Sequence, residues 1–182
     1  MRPPAVTSFR KSRGCRAVAA ALASGLAAAG VAAAPAAGSA VKASTSPCRT
    51  ANLVVWFNTN GNGAAGTVFY KLNFTNLGSQ SCTLRGYPGV SAVSLAGRQL
   101  GSAATRNNVA KVKTITIGTG KTASATVGIV EAGNFPSSSC GLTTAAGLKV
   151  FPPNQGASRT VWFPFAACSK KGPKYLTIQA VR

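Results

Sequence analysis

The sequence predicts an all-β protein: a single antiparallel β-sandwich of immunoglobulin-like type over residues 48–182, preceded by a cleaved signal peptide. Three observations carry that expectation. After Pro47 no apolar repeat of helical period survives for ten residues. Nine short runs instead alternate apolar with polar residues or concentrate β-branched and aromatic side chains. Gly, Asn and Pro interrupt these runs every eight to fifteen residues, the turn spacing of a sandwich.

Residues 1–40 read as the signal peptide with the start of a short polar tail. MRPPAVTSFRKSRGCR carries five basic residues, and AVAAALASGLAAAGVAAAPAAGSA follows without a charge. Val18, Leu22, Leu26 and Val31 are the only strongly apolar residues of that run, too few for a firm transmembrane anchor. Small residues suited to cleavage recur at Ala34–Ala36 and Gly38–Ala40, which places the expected cut between 36 and 43. Cys15 precedes the apolar run and Cys48 lies well beyond it without a lipobox, so no acyl chain is expected. No adjacent Arg pair supports a twin-arginine signal.

Beyond the tail Val41–Pro47, the first expected strand is Asn52–Asn58, NLVVWFN, ended by the turn-rich TNGNGAAG. Thr67–Thr75 alternates cleanly, with Val68, Tyr70, Leu72 and Phe74 on the core face. The run Asn76–Gln80, NLGSQ, is expected to close a hairpin onto a strand at Ser81–Arg85, because Asn and Gly accept the positive φ of such loops. Gly86, Pro88 and Gly89 then break the ladder, and Tyr87 is expected to plug the core beneath that bend. The remaining strands are expected at Val90–Leu95, Val112–Ile117, Ala123–Val130, Leu148–Phe151, Thr160–Phe165 and Tyr175–Val181. In WFPF, Trp162 and Pro164 share one face and Phe163 and Phe165 the other, so one pair is expected on the surface.

Cleavage would remove Cys15 and leave Cys48, Cys82, Cys140 and Cys168, an even set in an exported chain. Of three possible pairings the sequential one is expected, Cys48 with Cys82 and Cys140 with Cys168. Each would close a loop of about thirty residues and restrict the unfolded chain by roughly 3–4 kcal/mol.

The order of Cys48, NLGSQSCTL, RGYPGVSAVSLAGRQL and the later SSSC and AACSKKG resembles the family of small secreted actinobacterial proteins described as the DUF4232 domain of unknown function. The resemblance covers Cys48 to Val181. It implies an exported β-sandwich and no established activity. Many relatives carry a lipobox and a Thr/Ser/Pro-rich linker, and this chain has neither.

Catalysis is expected to be absent. The chain has no His and a single acid, Glu131, which excludes carboxylate pairs and Ser-His-Asp arrangements by count. Divalent hard cations need several carboxylates, and zinc needs short Cys spacings or His, so neither metal nor cofactor is expected. A Ser-Lys dyad would need a buried lysine, yet Lys71, Lys111, Lys113 and Lys121 fall on polar faces or beside turns. Gly118–Thr122 lacks the first glycine of a phosphate loop, since Ile115 stands there, and reads as a hairpin turn. Asn73-Phe74-Thr75 matches a glycosylation sequon in mid-strand, which reads as coincidence, and Glu131 is expected to pin its loop by a salt bridge.

Twenty Lys and Arg are present, and the fifteen after the leader against Glu131 give about +14. The expected function is therefore a non-enzymatic, secreted or cell-envelope interaction module that meets anionic wall polymers or other acidic surfaces. The alternatives are a polyanion- or nucleic-acid-binding protein, and an extracellular protease inhibitor presenting Pro136–Cys140. Export and the single, scattered placement of the cations disfavour nucleic acid. The candidate anion contacts are Lys111 and Lys113, expected to alternate on one strand face, and the loop cluster Lys170, Lys171 and Lys174. Localisation is expected to be extracellular, with loose association to the wall. Intact mass of protein recovered from culture medium should give a chain beginning between Ala37 and Ser44 without acyl mass; a membrane-held chain starting at Met1 would overturn the leader assignment.

Overall fold

The computed structural model describes residues 45–182, so the leader and its cleavage region lie outside the described part. Eleven strands follow in order: β1 (Leu53–Ala64), β2 (Thr67–Asn76), β3 (Cys82–Arg85), β4 (Gly89–Val93), β5 (Gln99–Leu100), β6 (Thr105–Arg106), β7 (Thr114–Ile117), β8 (Thr122–Val130), β9 (Leu142–Phe151), β10 (Arg159–Cys168) and β11 (Leu176–Ile178). One short helix, α1 (Ser137–Cys140), separates β8 from β9. The strands form a five-stranded sheet β1-β2-β8-β11-β6, a four-stranded sheet β10-β9-β4-β5 and a small β3-β7 pair. The pairing is antiparallel apart from the two-residue β11–β6 contact.

Alternation puts the core where the sequence expects it. Leu72 and Phe74 of β2 and Val127 of β8 are fully buried beside Leu148 and Val150 of β9 and Ala92 of β4. Leu84 and Ile117 add the small sheet to the same core. Each such side chain contributes about 1.5–3 kcal/mol relative to exposure. An aromatic cluster clamps the two larger sheets together at one edge. Phe57 of β1 and Tyr70 of β2 lie 4.8 and 5.1 Å from the Phe163 ring of β10, whose neighbour Phe165 extends the cluster. Both disulfides join the expected partners, Cys48–Cys82 and Cys140–Cys168, with Cα separations of 4.8 and 4.6 Å.

The two expected hairpins are corners between sheets. β2 already has β1 on one edge and β8 on the other, so the chain leaving Asn76 has no free edge to pair with. It crosses instead to β3, which pairs with β7. Gly118–Lys121 likewise carries the chain from β7 back to β8 in the large sheet, closed by Lys121 N donating to Gly118 O. Asn76, buried to 1% exposure, staples the two corners together. Its main-chain N–H donates to Lys121 O and its carbonyl accepts from Gly120 N. Its side-chain amide donates to Gln80 O and Ile117 O at 2.8 and 3.0 Å, and its Oδ1 accepts from Gly78 N. The polar burst around residues 76–80 is thus a corner between sheets.

Other departures have local causes. The Asn/Gly stretch after Asn58 continues β1 through a bulge between Asn58 and Asn62, and the turn falls at Ala65–Gly66, both at positive φ. Gly61 fits there because the Tyr70 ring lies across the site a Cβ would occupy, 2.6 Å away. β9 begins at Leu142, six residues before the expected start, because β10 pairs with its small residues Thr143 to Gly147. Tyr87 is only half-buried and donates to Asn108 Oδ1. The tyrosine that fills the core is Tyr175, fully buried, with its hydroxyl donating to Leu100 O at 3.0 Å. What holds the Glu131 loop in place is its main chain, whose N–H donates to Gly66 O and whose carbonyl accepts from Asn134 N.

Replacing Asn76 by Ala strands the buried Ile117 carbonyl and frees the partly buried Gln80 carbonyl and Gly78 N–H, so denaturation should show a loss of about 2 kcal/mol with an unchanged denaturant slope; a loss within 0.5 kcal/mol, about what an ordinary surface change costs, would refute the staple. Burial pushes the Tyr175 hydroxyl up to about 12 from 10.0. Because the folded state keeps the proton that the unfolded chain releases above 10.0, stability should fall as pH rises from 10.0 towards about 12. Tyr175→Phe should lose about 1 kcal/mol at neutral pH and lack that component of the alkaline decline; an equal decline in both proteins between pH 8 and 11 counts against it.

Candidate functional site

Cations that are far apart in sequence meet at one end of the fold. Arg85 ends β3 and stands opposite Thr114 at the start of β7. Lys111 and Lys113 lead into that strand and are exposed. They lie in an irregular segment and not on a strand face as expected, since pairing with β3 begins only at Thr114. Two residues after Arg85, the Tyr87 ring carries the Arg106 guanidinium at 5.4 Å from its centroid. The C-terminus closes the group: Val181 N donates to Gly86 O, and Arg182 Nη2 donates to Thr126 Oγ1. The β3–β7 register and the Val181–Gly86 hydrogen bond thus bring the main chain of Arg85, Lys113 and Arg182 to the same end as the Tyr87–Arg106 pair. The sequence reading missed Arg85, Arg106 and Arg182, because only the β3–β7 register and the parallel β6–β11 contact bring them near Lys113.

The second expected patch is divided. Lys170, Lys171 and Lys174 are all exposed on the segment after β10. Lys170 is committed to structure, with its Nζ donating to Ser138 O of α1 at 3.0 Å and its main-chain N to Cys140 O. Pro136–Cys140 itself is coiled: Cys140 N donates to Pro136 O and Gly141 N to Ser137 O. The segment expected as a disulfide-pinned loop is thus a single helical turn. Asn73 of the sequon is 6% exposed within β2, where its side chain is closed off from modification.

An apolar groove of about 710 Å³ crosses the outer side of the four-stranded sheet. Trp162 and Pro164 of β10 form one wall, Thr144 and Ala146 of β9 the floor, and Leu95 and Arg98 of the β4–β5 turn the other wall. Trp162 is 63% exposed, and Phe163 and Phe165 point to the core, as the WFPF alternation predicts. A register shift between Trp162 and Phe165 makes β10 bulge here. Gly147 permits it, because a Cβ at that position would run into Val161 O and lie 3.0 Å from Trp162 Cα. Ser94, also lining the groove, has a buried Oγ with no hydrogen-bond partner, a mismatch worth about 1–3 kcal/mol.

Among the described residues no group of three or more His, Cys, Asp or Glu side chains comes together, and no helix is long and apolar enough to cross a membrane. No curated protein and no solved structure matches the chain significantly. The sequence model of one family, described as a domain of unknown function, matches residues 48–182, the whole span from the first paired cysteine to the C-terminus. The chain belongs to the DUF4232 family.

Proposed function

We propose that the protein is an exported, non-enzymatic binding module that holds anionic polymer of the cell envelope at the basic end around Tyr87. The observation that carries this reading is that strand pairing and main-chain contacts bring Arg85, Lys113 and Arg182, from separate parts of the chain, to the end of the fold where Arg106 stacks on Tyr87, with Lys111 two residues before Lys113. Single contacts of exposed cations with phosphate or carboxylate are weak. Several acting together on a polymer release its counterions and produce binding that falls steeply with salt. Two disulfides support an oxidising, extracellular setting. With one acid and no His, the side chains offer no acid–base pair for turnover.

The reading ranks the patches differently from the sequence alone: the Tyr87 end is the main contact and Lys171 with Lys174 a secondary one, since Lys170 serves α1. On a column of immobilised polyglycerol phosphate, the protein should be retained well above about 0.1 M salt. Substituting Arg85, Arg106, Lys111 and Lys113 together by Gln should lower the slope of log affinity against log salt by about three. The Lys171/Lys174 double Gln variant should lower it by about one. Elution of the unaltered protein near 0.1 M salt, or equal slopes for the fourfold variant and the parent, would show that this charge recruits no polymer.

A further inference from the structure

The Trp162 groove is separate from the basic end and is lined by a different chemistry. It runs from Trp162 on β10 across β9 to the β4–β5 turn, roughly 10 Å at ordinary strand spacing. Its volume of about 710 Å³ falls within the usual range for small-molecule sites. Leu95, at 86% exposure, and Trp162, at 63%, are large apolar side chains held in solvent at its two rims.

What fills such a groove follows from its few polar groups. Arg98 is its one charged lining residue. Ser94 N donates to Arg98 O at 2.9 Å across the turn, so the unpartnered Ser94 hydroxyl and the guanidinium belong to the same end. Thr144 of β9 adds one hydroxyl away from that end, and the remaining lining, Leu95, Ala96, Ala146, Trp162 and Pro164, is apolar. A second copy of the chain is a poor occupant: it carries the same strong positive charge, and its single acidic side chain, Glu131, lies in another depression beside Tyr70 and Phe165. A neutral sugar would find one aromatic ring and little to hydrogen-bond along the floor. The pattern fits an apolar body ending in one anion.

We propose that this groove binds the tail of a free, single-headed anionic amphiphile, a long-chain carboxylate or phosphate monoester, with Arg98 and Ser94 Oγ holding the head. The tail lies over Ala146 and passes against Trp162 and Pro164. This goes beyond polymer binding and does not depend on it.

The test uses calorimetry of the mature chain with dodecyl phosphate, kept below its micelle concentration, in 0.5 M salt so that contacts at the basic end are screened. Trp162 fluorescence in a Trp56→Phe background reports the same event at the groove. One saturable site per chain is expected, with dodecyl maltoside and inorganic phosphate each binding at least tenfold more weakly. Arg98→Gln, a change at an exposed position, should weaken dodecyl phosphate about tenfold. Trp162→Ala should weaken it by a similar factor with the melting temperature checked alongside, and the Arg85/Arg106 double Gln variant should leave it unchanged. Equal affinity for the maltoside, indifference to Arg98→Gln, or binding only to vesicles of anionic phospholipid would each overturn the proposal, the last by making the partner a membrane surface.

Discussion

The architecture depends on Asn76. A two-sheet β-protein must carry its chain from one sheet to another, and at each crossing the main-chain groups lose their ladder partners while remaining under cover. Here two crossings, β2 to β3 and β7 to β8, are placed side by side, and one buried residue serves both, its side-chain amide bonding Gly78 N, Gln80 O and Ile117 O and its main chain Gly120 N and Lys121 O. Its hydrogen bonds reach the 77–81 corner, the end of β7 and the 118–121 corner at once. The side chain that does this must donate twice and accept once within one small volume. Asn does so, whereas Asp cannot donate and Ser has only one donor.

The disulfides hold what that staple does not reach. Cys48–Cys82 fixes the N-terminal segment along β3, where Cys48 N donates to Thr83 O and Thr83 N to Ser46 O. Cys140–Cys168 ties α1 to the end of β10, with Ser169 N donating to Gly141 O and Lys170 N to Cys140 O. Both bridges sit where short segments have little core of their own to bury. Positioning of the β3 end, and therefore of Arg85 and the Tyr87 bend, follows from the first bridge together with the Asn76 corner.

Patterns local in the chain were legible in the sequence. The alternation of β2 assigned its core side chains Leu72 and Phe74 correctly, because a two-residue period survives whatever the strand pairs with. The cysteine pairing and the exposed Trp162–Pro164 face were legible for similar reasons. Pairing was not. NLGSQ has the composition of a hairpin, and only the occupied edges of β2 forbid one. The Asn/Gly extension of β1 and the Ala145–Gly147 stretch of β9 have poor strand propensity and are strands because neighbours impose it. The basic end was hidden most completely. Lys111 and Lys113 could be named from their spacing, but Arg106 and Arg182 join them through contacts made by β6 and by the C-terminal segment, for which the sequence carries no local signal.

The two candidate surfaces differ in what they ask of the fold. The basic end consists of exposed cations at strand ends and in an irregular lead, positions where substitution costs the core little, so its charge can vary without disturbing the sandwich. The groove is built into the sheet itself. Its Trp162 wall exists because β10 bulges, the bulge exists because Gly147 leaves room for Val161 and Trp162, and on the opposite face of the same bulge Phe163 and Phe165 complete the aromatic clamp. Removing the bulge would therefore cost both the groove and the contact between sheets. That coupling explains how a large indole can be kept in water on a strand whose other face is packed: turning it inward would shift every neighbour on β10 to the wrong face.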